Sequence, residues 1–254
     1  IYEYQSPPTA LRRTSGGRTT TPAHYRQRYA DYKSDPDLQL AHTRCPWIVT
    51  WDDHEVENDY ANLQGERLQP DFAAQRTAAY RAWWEHMPLP KAMRPRLDVT
   101  GSAVRVYGSL DWGRLARIHL LDDRQYRDIQ LCPRLDRGGG SNYVNLKDCP
   151  GLADPARSLL GAEQERWLAE SWSLQQPWNL LAQQTLMARL SHTPPSDGAG
   201  RYWTDGWDGY AASRTRLLQT VVDRQVPGVV VLGGDVHGNY CADLRVDFDK
   251  PSSP

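Results

Sequence analysis

Asp52-Asp53-His54-Glu55 places three carboxylates and an imidazole in consecutive positions, just after the apolar run Pro46-Trp47-Ile48-Val49-Thr50 and Trp51. Ionisable groups this close repel one another unless something compensates. A bound cation is the simplest compensation, because carboxylate and imidazole are both metal ligands. A solvated acidic turn or a helix N-cap is the alternative. A second segment has the same grammar: Val229-Val230-Val231-Leu232-Gly233-Gly234 leads into Asp235-Val236-His237-Gly238. In extended backbone, residues two apart point to the same side, so Asp235 and His237 are expected to reach one centre. Two strand-end loops, each with an acid and a histidine, predict a metal site at the carboxyl edge of an α/β sheet. Arg124 follows another apolar run and offers a guanidinium for bidentate contact with phosphate. A salt bridge to Asp122 or Asp123 is the alternative for Arg124. His237 as a hydrogen-bonded turn histidine is likewise open. His86 ends a Trp-rich helical stretch, where a helix C-terminus favours a cationic imidazole in a structural role.

The elements that must carry these residues follow from periodicity. Helices are expected over 24–32, 37–42, 71–87, 162–174 and 210–225, with Pro88, Pro90 and Pro95 stopping the third. Strands are expected over 45–50, 103–107, 115–121, 178–181, 229–232 and 241–248, with Gly108 to Trp112 as a turn. The apolar run before Asp235 reads as a buried, parallel strand. Residues 133–158 and 191–208 read as long loops, and insertions of that size are often functional. Strands alternating with helices favour a layered α/β domain.

Composition excludes some classes. Formal net charge is −1 over 254 residues, so nothing pulls the chain toward nucleic acid or an anionic membrane. No stretch approaches the roughly 18 apolar residues of a membrane span. Ten Trp and 13 Tyr against two Phe favour rings with a polar handle, which suit clefts and wet surfaces; compositional drift is the alternative. None of Cys45, Cys132, Cys149 and Cys241 forms a CxxC pair, which argues against a zinc knuckle. Cys132 and Cys149 flank a Gly-rich loop and suit a disulfide if the protein is exported; free thiols fit equally well. Both termini look cut, so the chain reads as a fragment or a processed form.

The segment from Thr50-Trp51-Asp52-Asp53-His54-Glu55 to Glu57-Asn58-Asp59-Tyr60 resembles the central signature of the alkaline phosphatase D family, the PhoD-like metallophosphatases. Ile1-Tyr2-Glu3-Tyr4, Tyr32-Lys33-Ser34-Asp35-Pro36, Glu85-His86-Met87-Pro88-Leu89, Asp122 to Arg127, Ala182-Gln183-Gln184, Trp207-Asp208-Gly209-Tyr210 and Gly234 to His237 are similar to it in the same order. The resemblance implies a four-layer α/β/β/α metallophosphoesterase sandwich over residues 1–254, as a catalytic domain lacking upstream strands and a downstream C-terminal part. It implies hydrolysis of phosphate monoesters and diesters with Fe3+ and Ca2+, in an exported protein, secreted or in the cell envelope. A monomer acting on a small or polymeric phosphate ester is the expected state.

Carried over by position, Tyr2 is the tyrosinate ligand of ferric iron. Asp53, Asp235 and His237 are further metal ligands, and His54 and Arg124 are catalytic. Asp52 and Glu55 would orient them. The family's Gly-Asp-Tyr, with its bridging Asp, and its Cys ligand would both precede Ile1. Asp123 stands where the family usually has Thr. A non-catalytic remnant of the same fold, binding phosphate or a polymer, is the alternative function.

Overall fold

The computed structural model describes residues 1–94, 100–194 and 200–254; Pro95 lies outside them. Helix α1 (Pro22–Lys33) starts where Thr21 accepts from the His24 amide at 3.3 Å and Pro22 presets the first turn. Helix α2 (Pro36–Arg44) repeats the device, with Asp35 accepting from the Asp37 and Leu38 amides. Helix α3 (Phe72–His86) buries Phe72, Ala79, Tyr80 and Trp83, and it ends at Met87, just before Pro88. Helices α1 and α3 and the segment from Trp51 to Tyr60 enclose one core, in which Trp51 stacks on Tyr80 at 4.1 Å and meets Trp83 edge-on at 4.7 Å.

The sheet has the order β1 (Gly108–Trp112), β2 (Ala116–Leu120), β4 (Trp178–Ala182), β6 (Val229–Leu232). Strands β1 and β2 form a hairpin around Gly113, whose φ of 56° suits glycine. Strands β2, β4 and β6 run parallel, joined by crossovers that contain α4 (Gly161–Ser171) and α5 (Ala211–Asp223). Leu121, Leu168, Trp172, Leu181, Trp207, Leu217 and Leu218 form a second core under these helices. A separate ribbon pairs β3 (Tyr143–Asn145) with β5 (Arg201–Trp203). The architecture is mixed α/β. The described residues hold one four-stranded sheet and this ribbon, not a second core sheet.

Several expected elements differ. Residues 46–50 form no ladder, and Cys45 caps α2. Thr50 instead donates its hydroxyl to the Leu121 carbonyl at 3.1 Å. Val104 and Val106 of the 103–107 segment are buried, but the segment forms no ladder, and the Val104 backbone bonds to the Gln125 side chain instead. Gly108 to Trp112 is the strand there, not the turn. Residues 241–248 form no strand; Leu244, Val246 and Phe248 pack on the second core from irregular backbone. The two long loops each contain one strand of the ribbon. Strand β6 is an edge rather than a buried strand, with Val230 37% and Leu232 54% exposed. Among the described residues no helix is long and apolar enough to cross a membrane.

His119 in β2 is fully buried, between Asn179 at 3.2 Å and Ser171 at 3.3 Å. Burial holds its pKa below the ordinary value; Arg117 adds to this against the opposing bond from Asn179. Below about pH 6.5 the unfolded imidazole takes a proton that the folded one resists. The unfolded state then binds more protons, so stability falls with pH through that window. Urea titrations between pH 7.5 and 5 should show this fall, and His119→Gln should flatten it; an unchanged pH slope would count against the assignment.

Candidate metal centre

The three parallel strands end at one edge of the sheet, and three polar segments meet there. One is the turn after Trp51. The Asp53 carbonyl accepts from the Val56 and Glu57 amides, both at 2.8 Å, closing a helical turn. Its carboxylate is buried and accepts from the amides of His54 at 2.7 Å and Asp59 at 2.8 Å. Two backbone donors therefore orient Asp53 before any ligand arrives. Gln184, leaving β4, donates to the Trp51 and Leu121 carbonyls and accepts from the Asp123 amide, so it joins the turn to the sheet edge.

The second segment follows β2. Asp122 accepts from the Arg124 and Gln125 amides and turns the chain. The Arg124 guanidinium is buried. It donates from Nε to Asp52 at 2.6 Å and from Nη1 to Asp205 at 2.5 Å, and its Nη2 lies 3.5 Å from Asp235 and 4.0 Å from Asp53. Asp205 is also held by Arg127 at 2.7 Å and Gln130 at 2.8 Å. Burial alone would raise its pKa, but Arg124 and Arg127 outweigh burial and keep it well below the usual carboxylate range. Asp59 has only the more distant Arg137, at 3.8 Å. Burial and the charge of Asp205 push it up to about 7, against hydrogen bonds from Ser141.

The third segment follows β6. Gly233 passes so close to the Thr185 carbonyl that a Cβ would sit 2.2 Å from it, so only glycine fits. Asp235 and His237 do not lie in extended backbone as expected. Both have left-handed φ, at 66° and 52°, because the chain turns through a Val236 amide to Gly234 carbonyl bond at 2.8 Å. The turn still delivers both side chains to the cleft that Asp53 and His54 line.

His54 bonds through Nδ1 to the fully buried Glu3 at 2.7 Å, and Glu3 also accepts from the Asn58 amide. Burial lowers the His54 pKa, but the bond to Glu3 and the charge of Asp53 reverse this, and the net shift is upward. The Tyr2 ring lies 4.2 Å from His54, with its phenol raised by burial and by the charge of Asp53. His86 lies elsewhere, stacked on Tyr29 at 5.0 Å.

The structure thus brings Asp53, His54, Asp235 and His237 into one cleft of about 380 Å³, with Tyr2 beside His54. Arg124 sits beneath, against carboxylates. Three contributors went unassigned from sequence: Glu3, Asp59 and Asp205. Asp59 lies inside the signature segment, but nothing local in the sequence marks Glu3 or Asp205.

Carboxylate oxygens of Asp52, Asp53 and Asp235 lie within 4.8 Å of one another, and so do those of Asp53, Asp59 and Asp205. Five carboxylates here face the guanidiniums of Arg124, Arg127 and Arg137, so negative charge remains in excess. Burial raises the pKa of Asp52 and of Asp235 despite Arg124. An oxygen-rich, under-compensated cluster fits hard cations.

The sequence profile of PhoD-like phosphatases matches residues 1–254. Alkaline phosphatase D of Bacillus subtilis (strain 168) is 40% identical over 262 aligned positions, which take in all of this chain and 42% of that protein. A solved structure titled "Structure of PhoD" superposes with a TM-score of 0.87 at 39% identity, over all of this chain and 47% of that one. The chain spans less than half the length of these relatives.

Arg124 is the cation shared by buried acids, so removing it leaves them unpaired. Arg124→Met should lower the unfolding free energy by about 3–5 kcal/mol in chelator-treated protein. Urea titration measures this, and a loss under about 1 kcal/mol would mean the carboxylates do not depend on it.

Proposed function

The chain belongs to the PhoD-like phosphatase family, and from that premise we propose that it is the catalytic part of a metal-dependent phosphodiesterase and phosphatase. The observation that carries this reading is the meeting of the Asp53 and Asp235 turns, with carboxylate oxygens inside one 4.8 Å cluster. Asp52, Asp53, Asp59 and Asp235 would hold the cations, with His237 and Tyr2 as nitrogen and phenolate ligands. A bound cation supplies charge neutralisation at the phosphoryl group and a hydroxide-strength nucleophile at neutral pH.

The chain's own residues do the rest. Glu3 accepts from Nδ1 of His54 and favours its cationic form, and only in that form does Nε2 also carry a proton to offer to a phosphoryl or leaving oxygen. Arg124 does not bind phosphate in this reading. It holds Asp52 and Asp205 and keeps Asp53 and Asp235 at ligand spacing. We take Fe3+ and Ca2+ as the cations from the resemblance to the family; phenolate with imidazole is compatible with iron, and carboxylate oxygens with calcium among other hard cations. Export is supported by the Cys132–Cys149 disulfide, a bond that persists in oxidising compartments.

In the full chain supplied with Fe3+ and Ca2+, Asp53→Ala should reduce bound metal. It should also cut turnover of bis(4-nitrophenyl) phosphate by more than the about 10–100-fold cost of losing an outer partner. Wild-type metal content in the variant would sink the ligand assignment. Tyr2→Phe should remove the visible phenolate-to-iron absorption, and an unaltered spectrum would rule out that ligand.

A further inference from the structure

The cleft has a second wall that the phosphoryl chemistry does not use. Besides the acids, the cleft is lined by Tyr143 from β3, Trp203 from β5 and His192, and by Leu186 and Leu190. Tyr143 and Trp203 are direct cross-strand partners with ring centroids 4.5 Å apart, and His192 meets Tyr143 edge-on at 4.5 Å. Tyr143 is 39% exposed and Trp203 half-buried, so the rings are accessible from the cleft.

This wall is built rather than incidental. The Cys132–Cys149 disulfide closes the loop that carries β3. Asn142 and Thr204 exchange bonds across the ribbon at 2.8 and 3.0 Å. The His192 amide donates to the Arg201 carbonyl at 2.8 Å. Two residues after Trp203, the chain reaches Asp205, fixed by Arg124 and Arg127. The end of β5 is therefore anchored to the buried ion network. A rigid flat ring at fixed reach from a phosphoryl site selects by stacking, which tolerates any π-face.

We propose that Tyr143, Trp203 and His192 form the leaving-group subsite, and that it favours phosphate esters whose alcohol carries a planar aromatic ring. This rests on the hydrolase reading for its chemistry but not for its binding. The ring would come from an aryl alcohol or from the base of a nucleotide; both present the same π-face.

Calorimetry on the full chain with its metals separates these cases. Phenylphosphonate should bind about three- to tenfold tighter than methylphosphonate, the range expected of one aromatic contact. Adenosine 5′-monophosphate should likewise exceed ribose 5-phosphate if the base reaches the rings. Trp203→Ala should abolish the preference and Trp203→Phe should retain it. Tyr143→Ala serves as the second variant should Trp203→Ala fail to fold. Equal binding of the phenyl and methyl phosphonates to the wild-type protein would overturn the subsite, as would a preference that survives both alanine variants. Turnover of 4-nitrophenyl phosphate and glycerol 2-phosphate is read alongside. A ring preference in binding without turnover of either ester would sink the hydrolase reading and leave the subsite standing.

Discussion

One buried guanidinium organises this molecule. Arg124 is enclosed by Asp52, Asp53, Asp205 and Asp235, which arrive from three different loops. Desolvating a charge is costly unless it is paired, so the acids and the arginine each require the other. The loops are thereby held together although no strand pairing joins them. The same network leaves negative charge in excess, which is the condition a cation would relieve. Structural cohesion and the capacity to hold metal thus share one set of residues.

Around that centre the sheet edge acts as a template. Parallel strands β2, β4 and β6 deliver Arg124, Gln184 and Asp235 to one end. Gln184 then ties the Trp51 turn to that end through the Trp51 and Leu121 carbonyls. Trp51, clamped by Tyr80 and Trp83, fixes the turn from the other side. Asp53 lies between two rigid bodies, one polar and one aromatic. Its two backbone donors remove its remaining freedom, which lowers the entropy lost on binding a ligand.

The ribbon β3–β5 adds a wall to this centre at low cost in core. It is short and lies apart from the main sheet, so it borrows rigidity from the disulfide at its base and from Asp205 at its end. An aromatic surface on such a ribbon changes through loop residues alone, while the acid floor stays under the control of Arg124. Loops on a rigid scaffold commonly divide labour in this way.

The sequence by itself determined the elements whose signal is local. Periodicity marked α1, α2, α3, α4 and α5, and apolar runs marked β2, β4 and β6, because these depend on near neighbours along the chain. It also determined the chemistry on offer, since Asp53, His54, Asp235 and His237 follow apolar runs in a pattern similar to a known family. Tertiary structure decided the rest. Residues 46–50, 103–107 and 241–248 carry strand-like patterns but have no ladder, because pairing requires a partner edge that no local pattern reveals. Gly108 to Trp112 became a strand for the converse reason. Asp235 and His237 converge through left-handed turns rather than extended backbone, since Gly233 and Gly234 must pass the β4 exit. Glu3 and Asp205 gain their roles from groups more than fifty residues away in the chain, bonding to His54 and Arg124. A buried charge finds its counter-charge by proximity in space, and that proximity is a property of the folded chain alone.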